Sequence, residues 1–86
     1  MAENIMYVCH TPFWEYCDDL FLASDILDFL EFHEKYMGEW CSEDFILKAM
    51  NRVLKKKITR KHLTKTLHEL IECARVERKG SQYKLR

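Results

Sequence analysis

The scarcity of turn-forming residues is the strongest constraint on how this chain can fold. Its 86 residues include only two glycines and one proline. An all-β protein needs many tight turns, and those turns depend on glycine and proline. A hydrophobic content of 48% and a formal net charge of zero also exclude the composition of a disordered chain. The sequence therefore predicts a mainly α-helical fold, with residues 1–86 forming a single domain.

An N-terminal extension, residues 1–23, is predicted to contain a helix. Thr11-Pro12 has the pattern of a helix N-cap followed by proline at the first helical position, where the missing N–H costs nothing. Apolar residues then recur at spacings of three and four. The pattern leaves open whether residues 12–37 form one bent helix or two.

Residues 24–86 form the predicted core of the domain, with three helices that each follow a capping residue. The caps are Ser24, Ser42 and Thr59. The predicted inner face of the second helix consists of Phe45, Ile46, Ala49, Met50, Val53 and Leu54. The predicted inner face of the third helix consists of Leu63, Leu67, Leu70, Ile71 and Ala74. The first of the three helices is expected to end at Gly38, where a C-cap favours a positive φ angle.

The end of the chain has the alternation of polar and apolar residues that is typical of a β-hairpin. Residues 75–78 and 82–86 alternate in this way, and Lys79-Gly80-Ser81 joins them. A shorter segment, residues 39–41, is a second candidate for extended structure. The sequence thus predicts a small C-terminal β-hairpin after the last helix.

From Ser24 onward, this order of elements resembles the winged-helix family, a helix-turn-helix variant with a β-hairpin wing. The resemblance depends on the order helix, short strand, helix, tight turn, helix and hairpin. Its individual residues are Ile58 in the turn, the ridge Leu63, Leu67, Leu70 and Ile71, and the ending Val76, Gly80, Tyr83 and Leu85. The resemblance implies a winged helix-turn-helix fold with an extra N-terminal helical segment. Members of this family bind DNA or other proteins, so the resemblance alone does not choose between them.

The zero net charge results from two halves of opposite charge. Residues 1–48 contain eleven acidic residues and two lysines, a balance of −9. Residues 49–86 contain twelve basic and three acidic residues, a balance of +9. The basic half has the sign that attracts a phosphate backbone, and the acidic half would be repelled by one. Mutual attraction of the two halves within one fold is the alternative explanation, although salt screens exposed charges beyond about 8 Å.

The third predicted helix has an outward stripe that suits duplex DNA. Residues 61, 64, 65 and 68 share this stripe, and a helix in the major groove presents such side chains to phosphates and base edges. Cations of the turn and the hairpin are expected to hold the neighbouring backbone. The candidate nucleic-acid-binding residues are Lys55, Lys56, Lys57, Thr59, Arg60, Lys61, Thr64, Lys65, His68, Arg78, Lys79 and Lys84. A lysine-rich helix face that serves only solubility is the alternative.

Aromatic residues are concentrated in the acidic half. Ten of the eleven lie at or before Phe45, more than one face of a small core can bury. An exposed aromatic patch with an acidic rim is typical of a protein interface. The candidate interface residues are Phe13, Trp14, Phe21 and Phe32, for a homodimer or a partner protein. Burial of all of them beneath an extra N-terminal helix is the alternative.

Other functional classes find little support in the sequence. It has no glycine-rich phosphate loop, nucleophile elbow or paired-histidine motif, so we expect no enzymatic activity, no cofactor and no small-molecule substrate. The cysteines lack the paired spacing of zinc ligands, and Cys41 and Cys73 are expected in the core. A Cys9–Cys17 disulfide is not expected in a reducing compartment. With no long apolar stretch and no signal peptide, we expect an intracellular protein, cytoplasmic or nuclear, away from membranes.

The first hypothesis is therefore a small DNA-binding transcriptional regulator that holds duplex DNA with its third core helix and its wing. The alternative is a winged-helix module for protein–protein interaction. That alternative includes a viral or phage-type inhibitor that acts through the acidic, aromatic N-terminal half. A continuous basic face over the third helix and hairpin would favour DNA, and a face interrupted by acidic residues would favour the alternative.

Overall fold

The computed structural model describes residues 17–55 and 57–86 of the chain. These residues form helices α1 (Leu20–Tyr36), α2 (Glu43–Leu54) and α3 (Arg60–Glu72) and strands β1 (Cys41–Ser42), β2 (Val76–Lys79) and β3 (Gln82–Leu85). The predicted mainly α-helical fold with a C-terminal β-hairpin is confirmed for this part of the chain. The predicted helix after Thr11-Pro12 lies outside the described residues.

Helix α1 begins five residues earlier than the sequence predicted. Its N-cap is Asp19, whose carboxylate accepts a hydrogen bond of 3.0 Å from the backbone N–H of Leu22. The predicted cap at Ser24 is wrong, because the helix already runs through that residue. Leu22 and Ala23 are buried in the core, and the packing of this first turn explains why the helix extends toward the N-terminus.

The end of α1 follows the prediction at Gly38. This glycine has a φ angle of +139°, and its N–H donates a 2.9 Å hydrogen bond to the carbonyl of His33. The ring of His33 is buried, and its Nδ1 lies 2.8 Å from the Gly38 carbonyl oxygen. The chain therefore turns sharply from α1 toward β1.

Capping residues fix the starts of α2 and α3 as predicted. The Ser42 hydroxyl accepts from the Phe45 N–H at 3.2 Å, and the Thr59 hydroxyl accepts from the His62 N–H at 3.1 Å. Between these two helices, Ile58 is buried, and its N–H donates to the side chain of Asn51. The turn is thus held by one apolar anchor and one hydrogen bond to α2.

The strands form one antiparallel sheet in the order β1-β3-β2. The hairpin pairs Val76 with Leu85, and the two-residue β1 pairs Cys41 with Tyr83 on the other side of β3. The sequence indicated extended structure at residues 39–41, close to β1, but it did not predict this pairing. The hairpin packs against α1 through β3 and against α3 through β2.

The core lies between the three helices and the sheet, with contributions from each of them. Predicted core residues Ile46, Met50, Leu63, Leu67 and Leu70 are fully buried, as are Cys41 and Cys73. Three residues expected to be buried are exposed, and the prediction is wrong for them: Phe45, Val53 and Ala74. Phe45 and Val53 lie on the outer side of α2, away from the core. Ala74 lies beyond the end of α3.

None of the helices in the described residues has the length and apolar character needed to span a membrane.

Candidate nucleic-acid and protein interfaces

The outward face of α3 carries the four residues that the sequence placed on one stripe. Lys61, Lys65 and His68 are exposed, opposite the buried leucine ridge. Thr64 is half-buried, and its hydroxyl donates a hydrogen bond to the Arg60 carbonyl one turn earlier. The side chains of Lys61, Lys65 and His68 thus extend into solvent, whereas the Thr64 hydroxyl is hydrogen-bonded within its own helix.

The turn before α3 adds further positive charge near the start of that helix. Lys55 and Lys57 are exposed, while the position of Lys56 lies outside the described residues. Lys55 adopts a left-handed conformation with a φ angle of 53° and ends α2. The Thr59 hydroxyl already accepts a hydrogen bond as the N-cap of α3. The turn therefore offers its lysines, rather than Thr59, to an anionic ligand.

The hairpin holds its cations in local contacts. The Arg78 Nε donates a 2.7 Å hydrogen bond to the Gly80 carbonyl. The ammonium groups of Lys79 and Lys84 lie 5.9 and 5.7 Å from the ring centre of Trp40, which is a cation–π distance. Trp40 thus draws the two lysines of neighbouring strands to one side of the sheet.

Acidic residues from distant parts of the chain lie beside three of the candidate cations. Arg60 pairs with both Glu43 and Asp44 at the start of α2. The Lys65 ammonium lies 2.5 Å from the Asp18 carboxylate. The Lys84 ammonium lies 3.3 Å from the Glu39 carboxylate and 3.9 Å from that of Glu77. The basic surface is therefore interrupted at α3 and at the hairpin.

These ion pairs change the proton affinities of the groups that form them. A hydrogen bond from Lys65 lowers the pKa of Asp18, and the same contact raises the pKa of Lys65. A hydrogen bond from Arg60 likewise lowers the pKa of Asp44. The Asp18–Lys65 and Asp44–Arg60 pairs lie at the surface, where salt and water screen them. They orient the side chains and partly neutralise the positive charge at these two positions.

One contact of α3 was missed by the sequence analysis. The Nε2 of His62 lies 2.9 Å from a carboxylate oxygen of Asp19, the residue that caps α1. Together with the Asp18–Lys65 pair, this contact holds the segment before α1 along one edge of α3. The cap pattern at residue 19, an aspartate directly before a helical stretch, was the available signal.

The predicted aromatic interface is exposed where the structure describes it. Phe21 has 80% of its surface exposed and Phe32 has 53%. Phe13 and Trp14 lie outside the described residues. Tyr36, Phe45 and Val53 are exposed as well, and they extend the apolar surface from α1 onto α2. This surface lies on elements that carry none of the predicted DNA contacts.

The buried cysteines have the properties of core residues. Burial raises the pKa of the Cys17 and Cys41 thiols to about 11, and it also raises that of Cys73. A thiol with a raised pKa is a poor nucleophile at neutral pH. Within residues 17–55 and 57–86, no three His, Cys, Asp or Glu side chains lie close enough to hold a metal ion.

Comparisons of this chain with protein families, with curated proteins and with solved structures found no match.

Proposed function

We propose that this protein is a winged-helix DNA-binding protein that holds duplex DNA with α3, the preceding turn and the hairpin. The element order α1-β1-α2-α3-β2-β3 and the sheet order β1-β3-β2 support this proposal. In a helix-turn-helix protein, the second helix of the pair enters the major groove and the first crosses the backbone. In this proposal α3 is the helix that enters the major groove, and α2 is the helix that crosses the backbone.

The observation that carries the proposal is the exposed Lys61 ammonium on the outward face of α3. Lys61 and His68 are exposed and form no ion pair with any described residue. Lys57 adds an exposed cation just before the helix. The acidic partners lie beside Arg60 at the start of α3 and beside Lys65 in its middle, so Lys61 keeps its positive charge between two neutralised cations. Lys57 and Lys61 thus offer two exposed cations to a DNA backbone.

The paired cations also contribute to this role. An exposed ion pair exchanges readily for a phosphate, because both are charge-assisted contacts in high-dielectric surroundings. Lys65 and Arg60 keep about half of their side-chain surface exposed, at 57% and 52%. Phosphate oxygens therefore compete with Asp18 and Asp44 for the same donors, at a small cost in free energy.

A binding titration of the full chain against duplex DNA of random sequence, at several salt concentrations, tests the proposal. With about six phosphate contacts, the slope of log affinity against log salt should be near −5. Lys61→Ala should weaken the affinity and reduce that slope by about one unit. Lys35→Ala, which removes the same charge from α1, should leave both unchanged. No binding at micromolar protein, or binding that salt does not affect, would contradict the proposal.

A second candidate function is a winged-helix module that binds an acidic protein surface. The ion pairs of Arg60, Lys65 and Lys84 favour it, because they show that the basic half already accommodates carboxylates. A titration with polyglutamate at the same salt concentrations separates the two functions. Binding of polyglutamate in preference to duplex DNA would support the second function, and the reverse order would support the first.

A further inference from the structure

A continuous apolar surface crosses the outer sides of α1 and α2. On α1, the rings of Phe32 and Tyr36 lie 4.9 Å apart, and Phe29 is their neighbour one turn earlier. The ring of Phe29 lies 5.7 Å from that of Phe45, the first aromatic residue of α2. The contact between these two rings joins the two helix faces into one surface.

A groove of about 280 Å³ lies within this surface, between the two helices. Its walls are formed by Phe29 on α1 and by five residues of α2, namely Phe45, Lys48, Ala49, Arg52 and Val53. Val53 has 56% and Phe45 has 40% of its surface exposed. Single exposed apolar residues are common, but a contiguous aromatic patch with a groove is typical of an interface. We call this surface the α1/α2 patch.

The two edges of the α1/α2 patch carry opposite charges. On the α1 side, Asp25 lies one turn before Phe29 and two turns before Phe32, on the same side of the helix. On the α2 side, Lys48 and Arg52 are exposed and one turn apart, and Lys48 is also close enough to the Asp44 carboxylate to help lower its pKa. Lys35 lies beyond the aromatic rings, 5.4 Å from the ring centre of Tyr36. The patch therefore has the Asp25 carboxylate near the start of α1 and two cations on its α2 side.

We propose that the α1/α2 patch binds a second copy of this chain in a two-fold symmetric dimer, with the symmetry axis along the groove. A rotation about such an axis brings the α1 edge of one copy against the α2 edge of the other. Asp25 of each copy then faces Arg52 or Lys48 of its partner, and the aromatic rings meet at the centre. Like edges would meet if the axis crossed the groove, so the charges select the first orientation.

Charge complementarity is what favours a second copy over an unrelated protein. A surface with one acidic and one basic edge is complementary to itself under this rotation, and isologous contacts require self-complementarity. A partner chosen for the basic edge alone would meet the acidic edge unfavourably. This inference goes beyond DNA binding and does not depend on it, because the patch contains none of the proposed DNA contacts.

A charge exchange between the two edges tests the dimer. Sedimentation velocity on the full chain, from micromolar to near-millimolar concentration, should show the wild type reaching twice the monomer mass. Asp25→Arg and Arg52→Glu should each weaken self-association by about tenfold or more, because each places like charges opposite each other twice. An equimolar mixture of the two variants should dimerise again, since both contacts of the mixed dimer pair opposite charges.

Two controls separate the interface from the fold. Glu34→Arg makes the same charge change as Asp25→Arg on a side of α1 away from the patch, so it should dimerise like the wild type. Val53→Lys, at an exposed position in the groove, should be monomeric and keep the wild-type circular dichroism spectrum. A wild type that stays monomeric at every concentration would overturn the proposal, even if a different protein were found to bind the α1/α2 patch. A mixture of the two charge variants that stays monomeric would overturn it too.

Discussion

The Asp18 carboxylate and the Lys65 ammonium lie 2.5 Å apart and join the segment before α1 to the outward face of α3. The two residues are 47 positions apart in the sequence. Asp18 belongs to the acidic half and Lys65 to the proposed DNA-binding face. The Asp18 carboxylate thus contacts the Lys65 ammonium, which the proposed function assigns to a phosphate. Removing this carboxylate should therefore raise the affinity for DNA.

Asp18→Asn should strengthen binding to duplex DNA by about two- to fivefold, a small gain because an exposed ion pair competes only weakly with a phosphate. The variant frees Lys65 for phosphate and removes a negative charge beside it. Glu34→Gln makes the same change in net charge on the far side of α1 and serves as the matched control. Fluorescence anisotropy at fixed salt measures both. If the two variants bind equally well, net charge alone accounts for the gain.

The same pair predicts a shift in the titration of Asp18. Because Lys65 lowers its pKa in the folded state, the pair contributes to stability above the pKa of an unfolded aspartate. That contribution is lost as the pH falls through the lowered pKa of the folded protein. An NMR titration of the side-chain carboxyl should therefore give a higher pKa in Lys65→Ala than in the wild type. An unchanged pKa would show that the two side chains do not meet in solution.

Lys65 and Lys57 should differ in what they contribute to DNA binding. Lys65 lies in the middle of α3, where base edges are within reach, and Lys57 lies in the turn, beside the backbone. Lys65→Ala should weaken a preferred site by about 1–3 kcal/mol more than random DNA. Lys57→Ala should weaken all sequences equally and reduce the salt slope by about one unit. Equal effects of the two variants on every sequence would exclude base reading by α3.

Local signals made most of the fold predictable. Ser42 and Thr59 cap their helices, and Gly38 and Gly80 adopt positive φ angles where the turns require them. The cap of α1 was misplaced because Ser24 and Asp19 carry equally good capping side chains. Only the packing of Leu22 against the core decides between them, and packing is not local in sequence.

The candidate site was predictable in its residues but not in its surroundings. The spacing of residues 61, 64, 65 and 68 placed them on one face of α3, since helical periodicity depends only on neighbours. The pairing of Arg60 with Asp44, or of Lys65 with Asp18, depends on how elements pack across the fold. The exposure of Phe45 has the same cause, because α2 has two sides of similar apolar character and tertiary contacts select one.

Tyr83→Phe should destabilise the fold by about 1–2 kcal/mol. Tyr83 is buried on β3, and its hydroxyl donates a 3.0 Å hydrogen bond to the carboxylate of Glu43 in the first turn of α2. The contact ties the sheet to the start of that helix, and its loss leaves one carboxylate oxygen without this donor. Urea denaturation followed by circular dichroism measures the effect. Tyr36→Phe, at an exposed tyrosine, should change stability little at micromolar protein.

Leu67→Ala should destabilise the domain by about 2–5 kcal/mol, because it opens a cavity at the centre of the core. Leu67 is fully buried on the inner face of α3, between Leu63 and Leu70. A domain of this size has only a few kcal/mol of stability to lose, so the variant should be partly or fully unfolded at 37 °C. Lys61→Ala, on the opposite face of the same helix, should unfold at the same urea concentration as the wild type. A fully stable Leu67→Ala would mean that α3 does not pack through this face, and the outward stripe proposed for DNA would then be assigned to the wrong side of the helix.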